Sequence, residues 1–191
     1  MKRLCVLLLV AVCLLTVGCF DKQDLEVTKE SYKDMYNSYV SAYANANNGE
    51  IDFNEFQIES IIEGENNSGV FRLNNGLLIV YVLAKDSDKI EQLTNSSILG
   101  GEALSFNLLE RKSLNPNISR PFIAKAMVAA FVGDKKADEA LKALTEICEK
   151  DNKNYGNYKM GDKWLSAIND VEIAYGFMIM SEEAHKRYHK K

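Results

Sequence analysis

Two histidines, one cysteine and a scatter of carboxylates are the side chains from which this sequence could build a reactive site. His185 and His189 lie four apart, with Glu182 one turn before His185 in "SEEAHKRYHKK". On a helix the three would share a face, a spacing by which imidazoles and a carboxylate hold zinc. They fall in residues 182–191, which read as a solvated basic tail, and a metal site needs a rigid frame and further ligands. These are the only histidines, so with both in a tail no Ser-His-Asp or Cys-His relay can be assembled. Glu55, Glu59, Glu63, Glu65, Asp86 and Asp88 supply carboxylates, and two that converged would make a glycosidase-like pair. Nothing in their spacing separates such a pair from a solvated face, so no catalytic residue is assigned. Cys148 sits in "ALKALTEICEK", where Ala140, Leu141, Leu144 and Ile147 repeat at helical spacing. It reads as a small buried hydrophobe, not as a nucleophile. "LGGE" at 99–102 lacks the lysine and the length of a phosphate-cradling loop, and no cofactor is implied.

The stretch "NNGEIDFNEF", Asn47 to Phe56, resembles the second half of an EF-hand calcium loop. With Gly49 at the sixth position, Asn48 takes the fifth, Ile51 the eighth, Asp52 the ninth and Glu55 the twelfth. The resemblance implies a cation site with Asn48, Asp52 and Glu55 as ligands. Ala44 and Ala46 stand at the first and third positions, where the motif needs oxygen donors; calcium takes about six to eight oxygens. The flank after Phe56 alternates like a strand where an exit helix should stand. The segment therefore reads as a helix-ending turn, and no metal is assigned.

The elements that would carry these residues follow from apolar periodicity. Thr28 offers an N-cap, and Tyr32, Met35, Tyr36, Tyr39, Val40 and Tyr43 fall on one helical face. The four tyrosines either pack on a sheet with hydroxyls at the rim or form an exposed aromatic strip for a partner. Residues 56–63 alternate as a strand, with Phe56, Ile58, Ser60 and Ile62 on one face. "GENNSG" is a turn, "VFRL" a short strand and "NNG" a hairpin signal. "LLIVYVLAK", Leu77 to Lys85, is apolar on both faces and reads as the central strand of the sheet, or the one most covered, and the three runs together read as an antiparallel meander. Asp86 or Ser87 caps a short helix at "DKIEQL", "NSSILGG" is a loop, and Glu102 to Lys112 is helical. Ser119 caps the next helix, with Pro121 in its first turn. Gly133 ends it, and Asp134 starts another that runs to Lys150, a helical hairpin. After the polar loop "DNKNYGN", the run "YKMGDKWLSAI" pairs with a strand over 171–179 through a turn at "ND". Helices gathered between strands mean α+β, one antiparallel sheet made of the meander and the C-terminal hairpin, covered by helices.

The N-terminus speaks to location. Lys2 and Arg3 precede "LCVLLLVAVCLLTV", Leu4 to Val17. The run falls short of the roughly twenty residues that cross a bilayer, so residues 1–18 read as a secretory signal peptide. "LTVGC" resembles the lipobox of bacterial lipoproteins, with Val17, Gly18 and Cys19 in the matching places and Thr16 where Leu is usual. The resemblance implies cleavage before Cys19, diacylation of its sulfur and anchoring on the exported side of a bacterial membrane. Residues 19–27 then form a lipidated tether and residues 28–181 a single domain. Cys5 and Cys13 leave with the signal and Cys19 is lipidated, so Cys148 has no disulfide partner. The formal net charge of −4 becomes more negative once Lys2 and Arg3 are gone, which argues against nucleic acid as a partner. The sequence thus describes a cell-envelope lipoprotein that binds without catalysis, its partner another envelope protein or a cell-wall ligand. An exposed apolar or tyrosine-rich patch, Tyr32, Tyr36, Tyr39 and Tyr43 among the candidates, would mark the contact surface. The rival readings are an envelope-polymer hydrolase with a carboxylate pair and a weak metal-responsive module.

Overall fold

A computed structural model of the chain describes residues 27–47, 51–98, 116–150, 155–170 and 174–188. Cys19, Asn48, His189 and the expected helix over 102–112 lie outside them. Helix α1 (Lys29–Ala46) begins as expected at Thr28, whose Oγ1 accepts from the Ser31 N–H at 3.2 Å. Such a cap contributes about 1 kcal/mol. A 3₁₀ turn (Phe53–Phe56) follows, then strands β1 (Ile58–Glu63), β2 (Ser68–Leu73), β3 (Leu78–Leu83) and β4 (Ile90–Ile98). Helices α2 (Pro116–Val132) and α3 (Asp134–Lys150) form the helical hairpin, with Gly133 at φ +79° between them. Strands β5 (Tyr155–Met160), β6 (Lys163–Asp170) and β7 (Ala174–Ser181) and a short helix α4 (Glu182–Tyr188) complete the chain.

The seven strands form one antiparallel sheet in the order β1-β2-β3-β4-β7-β6-β5. The C-terminal strands thus join the meander through β4 and β7, and the architecture is α+β. The inner face carries Ile58, Phe71, Leu73, Ile79, Tyr81, Leu93, Leu165, Phe177 and Ile179, all buried. Helix α2 lies between α1 and α3. That position explains its composition: Phe122, Ile123, Ala126, Met127, Val128 and Phe131 are all buried, as expected of a helix apolar nearly all round. Helix α3 buries only Ala137, Ala140 and Leu144 on one stripe and leaves Lys135, Lys136, Glu139 and Lys142 exposed. Cys148 is half-buried there, and its Sγ lies where a Cβ on Gly156 of β5 would fall, 2.6 Å away. Burial pushes its thiol pKa up, which suits a packing role.

Five expectations about the elements change. The segment "DKIEQLTNSSI", read as helix then loop, is largely β4, the middle strand of the sheet. Ile90 and Leu93 are both buried, three apart, which mimics a helical stripe. The cause is a β-bulge: Val82 pairs with Gln92 but Leu83 with Ile90, so an extra residue, Glu91, sits opposite the partner strand. A second bulge at Glu59 shifts β1, so that Ile61 packs against the core while Ile62 turns outward, 46% exposed. Strand β3 is apolar on both faces yet not central, and Val80 is 38% exposed on the outer one. "YKMGDKW" is itself a hairpin: Met160 pairs with Lys163 across Gly161 (φ +63°) and Asp162. Helix α2 starts at Pro116, ahead of Ser119; the fixed φ of proline suits a first helical position. Pro121 is inside it and forgoes only one bond near the helix start.

Helix α1 closes one edge of the sheet. Lys29, Lys33, Asn37 and Ser41 recur every four residues and run along β1. Lys29 pairs with Glu63, Lys33 Nζ donates to the Glu59 carbonyl at 2.8 Å, and Ser41 Oγ accepts from Gln57 Nε2 at 3.0 Å. Asn37 bonds both backbone groups of Ile58. Polar side chains thus take the place of a further strand, which blunts an edge that would otherwise recruit one.

Candidate functional site

The sequence-derived candidates are dispersed by the fold. Tyr32 and Tyr36 are fully enclosed; Tyr32 packs 5.3 Å from the Phe71 ring and 5.2 Å from Phe131, centroid to centroid. Tyr43 is half-buried in a cluster with Phe53 and Phe122, at 4.9 and 5.0 Å. Tyr39 donates its hydroxyl to Asp134 Oδ1 at 2.7 Å. The tyrosine stripe is therefore a core face, not an exposed strip, because α2 lies against it. Asp52 turns its carboxylate into its own loop, where Oδ1 accepts from the Asn54 N–H at 3.0 Å. Glu55 is exposed, its N–H bonded to the Asp52 carbonyl and its own carbonyl to the Asn75 N–H. The half loop thus builds a 3₁₀ turn, and among the described residues no group of three or more His, Cys, Asp or Glu could hold a metal.

Of the carboxylates, Glu59, Glu63 and Glu182 each face a cation. Glu59 lies 3.7 Å from Arg72, Glu63 pairs with Lys29, and Glu182 pairs with Lys159 and Lys186. Glu63, Asp134 and Glu182 all sit below the usual carboxylate range: hydrogen bonds from Lys29, from Tyr39 then Lys125, and from Lys186 then Lys159 respectively stabilise the anion. A hydrolytic general acid needs the opposite displacement. The densest polar cluster joins the three long helices. Lys125 Nζ reaches Asp134 at 3.0 Å and Asp138 at 2.8 Å and lies 5.7 Å over the Tyr43 ring. It staples α1, α2 and α3 together and leaves its groups mutually satisfied.

Residues 182–188, read as part of a solvated tail, form a docked helix. Ala184 of α4 is buried, and the His185 ring stacks on Trp164 with centroids 3.9 Å apart and planes 3° from parallel. Lys159 Nζ lies 5.8 Å over the same indole, and Arg187 pairs with Glu91. Short as it is, α4 covers Met180 and Trp164 on the outer face of the sheet.

On that outer face Ile62 and Val80 are exposed, Val70, Thr94 and Met178 are half-buried and Ser166 is buried. The middle row of the face can be read from the register: Ile62 pairs with Val70, Val70 with Val80, Val80 with Thr94, Thr94 with Met178, Met178 with Ser166, and Ser166 with Asn157. Leu78 and Val82 flank Val80 on the same side. The row carries no charge across seven strands. Charges stand at its margins: Arg72 near Glu59, Lys159 near Glu182. Exposed large apolar side chains among the described residues are Ile51, Ile62 and Val80, and two of the three fall in this row. No family model, curated protein or solved structure matches the chain. The site must therefore be judged on its own geometry: a flat, uncharged, partly apolar β-surface with a mixed-charge rim. No described helix is long and apolar enough to cross a membrane. Sequence periodicity pointed to the tyrosines instead; the usable signal was that "LLIVYVL" is apolar on both faces, which leaves one face in need of a cover or a partner.

Proposed function

We propose that the protein is a lipid-anchored module of a bacterial cell envelope that works by docking another envelope protein and carries out no chemistry of its own. The observation that supports this reading is the uncharged row Ile62–Val70–Val80–Thr94–Met178 on the outer side of the sheet. Aliphatic side chains left at a surface, rimmed by charges of both signs, are the usual make-up of a contact patch. The lipobox-like "LTVGC" supplies the membrane half of the reading: two acyl chains on Cys19 hold a domain stably, where one would not. An electrically neutral patch also disfavours nucleic acid and anionic polymers as partners.

The test has two arms. Cys19→Ala should abolish fatty-acid labelling and move the protein out of the membrane fraction. A photo-crosslinking residue at Thr94, in the same row, should capture a discrete protein in cells, and Val80→Asp with Ile62→Asp in that protein should abolish the capture while leaving the melting transition near its original position. Labelling that survives the Cys19 change sinks the anchor. Capture unaffected by the two aspartates sinks the docking face.

A further inference from the structure

The described domain has two ends, and the chain leaves for the proposed anchor from one of them. The Val27 carbonyl accepts from the Ile90 N–H at 2.9 Å and Thr28 bridges Lys89, which fixes the exit point beside the start of β4. The β1–β2 turn (64–67), the β3–β4 turn (84–89), the β5–β6 turn (161–162) and the start of α4 gather at the same end. The β2–β3 turn (74–77), the 3₁₀ turn and the last turn of α1 mark the other. Helix α1 runs the length between them, 18 residues, or about 27 Å at about 1.5 Å per residue. Seven residues, Phe20 to Glu26, lie between Cys19 and Val27, which makes eight steps along the chain. Eight steps reach at most about 28 Å. Contact of the far end with the bilayer would hold Val27 about one domain length above it, which stretches the tether almost straight and forfeits its conformational entropy.

We infer that the domain sits with its Val27 end and the turns at 64–67, 84–89 and 161–162 nearer the headgroups than the Asn74–Gly76 turn. This rests on the lipid-anchor reading of Cys19. The lower turns carry Glu65, Lys85, Asp86 and Asp88, both signs together, so tether length sets the orientation; adhesion to anionic lipid would want a basic cluster.

The experiment places single labels on the full, lipidated protein in vesicles that contain a headgroup-labelled acceptor lipid. Cys148 is replaced by Ala, and Glu65→Cys or Glu55→Cys introduces the donor site at the lower or the upper end; both glutamates are exposed. Energy transfer should be clearly higher from position 65 than from position 55. Equal or reversed transfer from protein that co-floats with the vesicles overturns the orientation and leaves the anchor intact. Protein that fails to co-float overturns the anchor, and the orientation with it.

Discussion

Asn37 bonds the backbone of Ile58 twice: the Ile58 N–H donates to Asn37 Oδ1 at 2.6 Å, and Asn37 Nδ2 donates to the Ile58 carbonyl at 3.0 Å. A side chain amide has the donor and acceptor of a peptide unit, so one residue of α1 imitates a neighbouring strand. Asn37→Leu should therefore cost about 1–3 kcal/mol, the range for leaving buried polar groups unmet. Urea denaturation measures the loss. Light scattering should also show concentration-dependent association, because the β1 edge is uncovered. A variant as stable and as monodisperse as the parent would show that the amide does not guard the edge.

Tyr32 and Tyr36 are enclosed on all sides, and neither hydroxyl has a hydrogen-bond partner among the described residues. Burial pushes both phenol pKa values up. Tyr32→Phe and Tyr36→Phe should leave the fold at least as stable as it is, with a gain of up to about 1–3 kcal/mol from shedding an unmet polar group. Tyr32→Ala, which empties the space between Phe71 and Phe131, should cost about 3–5 kcal/mol. Thermal unfolding distinguishes the two; a Phe variant that melts well below the parent would reveal that its hydroxyl is bonded.

The staple at Asp134 has a pH signature. Its carboxyl pKa is lowered, first by the Tyr39 hydroxyl and then by Lys125. A depressed carboxyl contributes its full stability above the unfolded value of about 3.9 and loses it as pH falls through the lower folded value. Asp134 is more than half exposed, so screening limits the contribution to about 1 kcal/mol or less. Asp134→Asn should thus be slightly less stable than the parent at neutral pH, and the gap should close in acid, below the ordinary aspartate range. A gap that persists there would mean that the side chain acts by shape, not by charge.

Trp164 is the only tryptophan, so its emission reports on the docking of α4. His185→Ala removes the stacked ring and should shift the emission to longer wavelength as water reaches the indole. The lost stack should cost about 0.5–1.5 kcal/mol. An unchanged spectrum would mean that the helix is not seated on Trp164 in solution.

The fold was more legible than the site. Helix α1 announced itself through Thr28 and the apolar stripe that follows, and the α2–α3 hairpin through Gly133, because caps and 3.6-residue periodicity are local signals. Strand β4 was illegible for a definite reason: the bulge at Glu91 places Ile90 and Leu93 three apart, and that spacing copies a helix. Strand β1 hid its outward Ile62 through the same kind of insertion at Glu59. The α4 segment read as a tail because its sequence is polar; its fixed position comes from Ala184 and from the His185–Trp164 stack, a contact between residues 21 apart.

By itself the sequence determined what chain-local chemistry can determine: an α+β plan, a net negative charge and a run, "LTVGC", that resembles a lipobox. Only the tertiary structure decided which residues face water. The tyrosine stripe of α1 and the aliphatic row of the outer sheet face look alike as letters. Helix α2 covers the first, whereas Ile62 and Val80 of the second are exposed, and coverage depends on which distant segment folds over a surface, a fact that no local pattern carries.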